Sequence, residues 1–433
     1  MSSISRKLSM YGAATPEAAP AAPDQKSERD RQRGPSVTSP DGGPSPALLI
    51  GESRLTERAP GFYTYREFHD FAEYGTKDIE MYLPLRLTGI LELALLDWKE
   101  AVHPEEVLFL DTETTGLSRG AGTLPFLTGL AFFRGRTLQV VQLFLEDQRG
   151  EGAYLDYLME YFARFSCIAS YNGKAFDIPL IKNRLILNRK RGGPPALHFD
   201  LLHILKRLFP ARSLPGYKQK DLEGELLGAT RDDDIPGAEI PQIYFDYKKY
   251  GEDRGLTRVL HHNRLDMLGM VFLFLEAVRI YDKRDASSEA LRSGLARVLA
   301  RNHRRREAIH MLESRENEAL NDEEFPLLYR DRLFLAGLYR QQRDWNDALR
   351  VYEMTAERYD CQYARMSAAR ILEHRLREFT PAREHTIALI EGNAASAKEA
   401  EGGVRLYSND ELEYRLARLE RKLEKAASGG ARS

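Results

Sequence analysis

The stretch VLFLDTETTGL, residues 107–117, constrains the fold of this chain more than any other. Val107, Leu108, Phe109 and Leu110 form an unbroken apolar run, the pattern of a strand buried on both faces. The run ends in Asp111 and Glu113, and Gly116 then breaks it. Side chains at i and i+2 of a strand project from one face, so both carboxylates aim at the same spot. Two like charges held that close repel unless one is protonated or a cation lies between them. An isolated Asp-x-Glu is usually no more than a strand end facing water. In this chain, two acidic motifs further along the sequence argue otherwise.

From Glu105 the pattern is α/β. FLTGLAFFRG and TLQVVQLFLED come after the first strand as two more, joined by short turns as in a meander. AYLDYLMEYFARF has helical spacing, CIASYNG reads as a fourth strand, FDIPLIKNRLILNRKR as a helix and ALHF as a short fifth strand. LTRVLHHNRLDMLGMVFLFLEAVRIY closes the domain, set at 105–282, near Asp282. Upstream, 61–104 is expected to be an aromatic-rich lead-in packing on that domain. Residues 1–60 are expected to be disordered: as far as residue 46 the only branched aliphatics or leucines are Ile4, Leu8 and Val37, and seven of the twenty prolines crowd there. Beyond Asp285 strands disappear. Leu335, Ala336, Tyr339, Trp345, Ala348 and Tyr352 fall at the spacing of a tetratricopeptide helix pair, and Trp345 and Ala348 recur 34 residues on as Phe379 and Ala382. Residues 285–392 are therefore expected to form tetratricopeptide-like helical repeats, an all-α region offering a surface to a protein partner. A linker and charged helix, 393–433, would complete the chain.

The net charge of −2 says nothing about partners, so any electrostatic signal must be local. Cys167 and Cys361 lie too far apart in sequence to suggest a cysteine zinc site or a disulfide framework, which fits a reducing compartment. The greasiest stretch, MLGMVFLFLEAV, is short and interrupted by Glu276, and the N-terminus has no apolar core of a signal peptide. A cytoplasmic protein without a membrane span is the expectation.

Two further motifs join the acidic pair. SYNGKAFDIP places Asp177 just after a strand, where a helix begins, and HHNRLDMLG places Asp266 on a helix behind His261 and His262. Four carboxylates at strand ends and on a facing helix can form one nest for two divalent cations, and hard oxygen ligands suit Mg²⁺ or Mn²⁺. Such a pair of cations can serve an in-line phosphodiester displacement, and it would neutralise the repulsion between Asp111 and Glu113. Between Lys174 and Lys220 eleven Lys or Arg face only Asp177 and Asp200, a local +9 and a candidate phosphate-binding surface. Asp200 reads as a helix N-cap and RDDDIPG as a solvated turn, unless Asp232–Asp234 closes over the site.

DTETTGL, YNGKAFD and HHNRLD, in that order, resemble the DEDD superfamily of 3′→5′ exonucleases on a ribonuclease-H-like fold. With DDDIPGAEIPQIYFDY and the helical tail, the likeness is closest to its YprB-like branch. It covers about residues 105–282. The resemblance implies a ribonuclease-H-like mixed sheet flanked by helices, with Asp111, Glu113, Asp177 and Asp266 as metal ligands. It also implies a histidine of the third motif as general base and single-stranded DNA or RNA 3′ ends as substrate. Thr114, Leu117, Asn172, Lys174 and Phe176 beside those ligands, and Arg184, Arg189, Lys190 and Arg191 in the basic stretch, are the expected substrate contacts. His262 lies four residues before Asp266, about 40° away around a helix, which favours it as the base. His261 fits instead if it sits in a loop before the helix. The competing readings are a nucleic-acid-binding adaptor with a nuclease-like domain and a ribonuclease-H-type endonuclease.

Overall fold

A computed structural model of the chain describes residues 55–69, 73–79, 82, 87–98, 100–116, 122–210, 214, 216–231, 234–251, 253–314, 325–399 and 407–429. Residues 1–54, and with them most of the segment expected to be disordered, lie outside the described residues, as does Leu117.

The sheet starts earlier than the sequence suggests. Strand β1 (Leu55–Ala59) and strand β2 (Phe62–His69) form a hairpin, and β2 then pairs along its whole length with a strand eighty residues further on, from Phe62↔Leu145 to His69↔Leu138. Leu55–Ala59 is thus ordered, and Phe62–His69 is part of the sheet rather than a layer on it. A small hairpin, β3 (Glu73–Tyr74) with β4 (Lys77–Asp78), and helix α1 (Thr88–Ala94) complete this segment.

The meander is formed by β5 (Val107–Thr114), β6 (Pro125–Arg134) and β7 (Thr137–Leu145), all antiparallel. Helix α2 (Glu151–Arg164) leads to β8 (Cys167–Ser170), and α3 (Asp177–Leu187) to β9 (Leu197–Asp200). Both new strands run parallel to β5, as strands joined through crossover helices do. The result is one seven-stranded mixed sheet, ordered β1-β2-β7-β6-β5-β8-β9, with β5 in its interior.

Two cores flank it. On one face α2 and α3 cover Leu108, Leu110, Leu130, Phe132 and Leu143. On the other lies α7 (Asp253–Lys283), after α4 (Leu201–Leu208), α5 (Gln219–Leu227) and α6 (Ile240–Tyr250). Its buried side, Met267 to Tyr281, packs with Val107, Phe109, Ala131 and Val140.

The same core runs on without a break into the helical region. Helices α8 (Glu289–Arg301), α9 (Arg305–Glu313), α10 (Phe325–Gln342), α11 (Trp345–Tyr359) and α12 (Gln362–Ile371) contribute Leu295, Leu299, Ala308, Leu335, Ala348, Tyr352 and Ala364 to it. The boundary expected near Asp285 therefore falls inside a packed core. A short π turn (Leu372–Leu376), α13 (Phe379–Glu399) and α14 (Asn409–Gly429) end the described chain. Among the described residues, no helix is long and apolar enough to cross a membrane.

Candidate active site

The alternation of β5 sets the geometry. Leu108 and Leu110 face α2 and α3, and Val107 and Phe109 face α7, so Asp111 and Glu113 continue onto the α7 side. Opposite Asp111 in the ladder stands Gly129. A Cβ there would lie 2.5 Å from Asn263 Oδ1 and 2.7 Å from Met267 Cγ, so glycine is what lets α7 lie against the strand. Asn263 Nδ2 in turn donates to Asp111 Oδ2 at 3.1 Å. Thr112, on the other face, donates its hydroxyl to Asp177 Oδ1 at 2.5 Å. Asp177 opens α3, where the helix dipole favours an anion.

A cavity of about 240 Å³ gathers these groups, with Asp111, Glu113 and Asp177 in its lining together with Thr114, Asn172 and Phe176. Helix α7 is continuous from Asp253, so neither histidine sits in a preceding loop. His262 is one turn before Asp266, with Nε2 3.2 Å from Asp266 Oδ2 and 3.7 Å from Glu113 Oε1. Its Nδ1 meets Asp234 Oδ1 at 2.5 Å. Ligand atoms of Glu113, His262 and Asp266 all lie within 4.8 Å of one another. His261, the next residue back, is exposed.

The electrostatics are those of crowded carboxylates. Burial, then Asp266, Glu113 and Asp177, push the Asp111 carboxyl well above its usual range. Burial and Asp266 push Glu113 up to about 8, and burial pushes Asp177 up to about 6 against the Thr112 hydrogen bond. Burial pulls the His262 imidazole down, but Asp266, Asp234 and Glu113 together raise it to about 10. Asp266 behaves oppositely: despite burial, His262 and Arg231 hold it below the usual carboxylate range. Arg231 Nη1 reaches Asp266 Oδ1 at 2.6 Å, while its Nε and Nη2 grip both oxygens of Glu223 at 2.7 and 2.6 Å. Both oxygens of Asp266 thus have cationic partners.

These shifts make stability depend on pH. Glu113 (about 8 against 4.5), Asp177 (about 6 against 3.8) and His262 (about 10 against 6.5) all have raised folded-state pKa values. Each binds protons more readily folded than unfolded, so its stabilisation is complete below the lower value and is lost as pH rises through the upper one. Asp266 has the opposite sign, but its contribution changes only below its usual 3.8. The metal-free protein should therefore melt at progressively lower temperature between about pH 5 and pH 8. Mn²⁺ should raise the melting temperature more at pH 8 than at pH 5, because protons compete for the same carboxylates. Thermal melts with EDTA and with Mn²⁺ at both pH values check this; a Mn²⁺ effect independent of pH would place the ion elsewhere.

The basic stretch is less available than its sequence suggests. Arg184 is committed to Glu151 of α2 through two contacts of 2.5 and 2.6 Å, and Lys190 to Asp156 at 2.6 Å. These two expected substrate contacts thus tie α3 and the segment just after it to α2. Arg189 and Arg191 remain exposed, as does Lys174. Phe176 is 46% exposed at the cavity rim. Asp200 caps α4 by accepting from Leu202 N, and it also takes the Asn172 and Lys174 amides, which shapes the loop that carries Asn172 at φ +62°. Asp232 and Asp233 lie outside the described residues. Asp234 does reach the site, through His262. Sequence reasoning missed Thr112, Arg231 and Asn263. Of these only Asn263 carried a signal, lying between His262 and Asp266 on one helix.

Residues 108–278 match the model of a family described as the RNase_H superfamily. The chain is similar to YprB, an uncharacterized protein of Bacillus subtilis (strain 168), at 32% identity over 329 residues, covering 74% of this chain and 76% of that one. Against solved structures, the family B DNA polymerase of the hyperthermophilic archaeon Pyrobaculum calidifontis aligns over 88% of this chain at 13% identity, with a TM-score of 0.34. The chain spans 57% of that polymerase's length, and the likeness is too slight to bear on function. The identity over three quarters of both chains and the superfamily match across the sheet and α7 lead to one conclusion: this chain belongs to the family of YprB and contains an RNase H superfamily domain.

Proposed function

We propose that this protein is a metal-dependent nuclease that hydrolyses phosphodiester bonds from the 3′ end of single-stranded DNA or RNA. The observation that carries this reading is the cavity lined by Asp111, Glu113 and Asp177, with His262 and Asp266 in reach of Glu113. These donors fit divalent cations: they are oxygen-rich, and burial together with the neighbouring carboxylates raises Asp111 and Glu113 above the usual range. Asp111, Glu113, Asp177 and Asp266 would hold two ions, Mg²⁺ or Mn²⁺, and such ions polarise a phosphodiester and acidify water. The remaining work falls to the chain. Bound cations would neutralise the carboxylates that hold a proton on His262, so that Nε2 could then accept one while Asp234 fixes Nδ1, and Phe176 and Asn172 at the rim bound the space for a terminal nucleotide. Exposed Arg189 and Arg191 supply positive charge to the strand behind it.

His262→Ala should remove the acidic limb of the pH–rate profile, and His261→Ala should leave it in place. Loss of that limb only in His261→Ala would transfer the role of base.

A second reading, a nuclease-like domain that binds nucleic acid without cutting it, draws on one observation. Arg231 and His262 already satisfy both oxygens of Asp266. End-labelled DNA, RNA and hybrid substrates incubated with Mg²⁺ or Mn²⁺ separate the possibilities. Mononucleotide release supports the exonuclease. Internal fragments indicate an endonuclease, and binding without turnover an adaptor.

A further inference from the structure

The helical region holds a second cavity, of about 480 Å³, between α10, α11, α12 and the π turn. Its lining includes Arg340, Arg370, Arg375, His374, Trp345 and Tyr363, with no carboxylate among the described residues. Among the described residues, none of the three arginines makes an ion pair with an acid. The guanidinium of Arg375 lies over the Trp345 ring, 4.7 Å from its centroid. Tyr363 is 40% exposed. The acid nearest in sequence, Glu373 in the π turn, is fully buried and spent: Arg415, Arg418 and Lys422 reach it at 2.8, 2.8 and 2.7 Å. Three cations on one carboxylate leave positive charge in surplus beside the cavity, where no acid among the described residues lines the wall.

We propose that this cavity binds a nucleotide unit of single-stranded nucleic acid, with its phosphate on Arg340, Arg370 and Arg375 and its base against Tyr363 and Trp345. Guanidinium forks match phosphate oxygens in pairs, and aromatic faces take any unstacked base. An acidic peptide would use the forks and leave the rings idle. The proposal deepens the nuclease reading and rests on it only for the identity of the strand: a long substrate would be held here as well as at its 3′ end.

The test uses the full-length chain. Trp98, 42% exposed, is one of two tryptophans, so Trp98→Phe leaves Trp345 as the sole reporter. With EDTA present to prevent cleavage, a thirty-residue oligothymidylate should quench Trp345 fluorescence on binding. Arg340→Glu combined with Arg370→Glu, both exposed positions, should weaken that binding about tenfold or more and flatten its salt slope by about 0.7, the share of one phosphate. Cleavage of a five-residue oligomer with Mn²⁺ should not change. Arg375→Gln is the second variant, should the charge reversals perturb the far-ultraviolet circular dichroism, and should weaken binding in the same direction. Strand binding without quenching, unchanged affinity in folded variants, or quenching by polyglutamate in place of oligothymidylate would each overturn the proposal. Quenching and binding by a protein that never cleaves would leave the cavity's assignment standing and remove the nuclease reading.

Discussion

Asp111→Ala should lower the rate of cleavage at least about a hundredfold, equivalent to roughly 2.7 kcal/mol of barrier. The same variant should fold normally and, without metal, melt no lower than the parent. Asp111 is pressed by burial and by Asp266, Glu113 and Asp177, so removing it relieves repulsion. Among the described residues it loses the favourable charge of His262 and the Asn263 amide, which keeps a second contact through its Oδ1 with Gln142. Stability and activity should thus move independently, which is the mark of a site built for an ion rather than for the fold. Rates on one preparation, with melts beside them, check both halves; near-normal activity would remove Asp111 from the ligand set.

Arg231→Ala should be the most destabilising single change near the site, by about 3–5 kcal/mol in urea titrations. The reason lies in the charge left unpaired. The Glu223 side chain is fully buried, and without Arg231 its charge keeps, among the described residues, the Tyr74 hydroxyl at 2.7 Å and the Gln219 amide at 2.8 Å. Helix α7 has been fitted to this carboxylate: Gly269 faces it, and any side chain there would collide with its oxygens. Changing both partners, Arg231→Met with Glu223→Leu, should recover much of the loss, since a buried pair costs its own desolvation. A loss below about 1 kcal/mol for the single change would mean that water reaches Glu223 and that the pair does not hold Asp266 in place.

Much of the sheet-bearing half of the fold was legible because its signals are local. The apolar run of β5, the short turns of the meander and the helical periods of α2 and α3 each fit inside a window of about fifteen residues. The pairing of β2 was not, since its partner β7 is eighty residues away and nothing in FYTYREFH names it. Asp111 and Glu113 could be placed together from strand alternation alone, and His262 with Asp266 from helix spacing. Arg231 and Asp234 arrive from the irregular segment between α5 and α6, which has no period to reveal its direction. Counting charges could not show that Arg184 and Lys190 are paired, for a related reason: their acids, Glu151 and Asp156, sit on α2, outside the stretch that was counted. The break expected at Asp285 rested on the loss of strands, but a change of secondary structure need not be a gap in the core. Leu291 and Leu295 pack in the same core as Leu205 and Leu208.

The central claim, hydrolysis at this acidic cavity from a 3′ end, is tested most directly by a time course. A single-stranded oligonucleotide labelled at its 5′ end is incubated with Mn²⁺ and either the purified parent or Asp111→Ala. The expected result is a ladder shortening one nucleotide at a time, present with the parent, abolished by EDTA and lost in the variant. A labelled strand that stays intact with the parent, or a ladder that persists in Asp111→Ala, would contradict it.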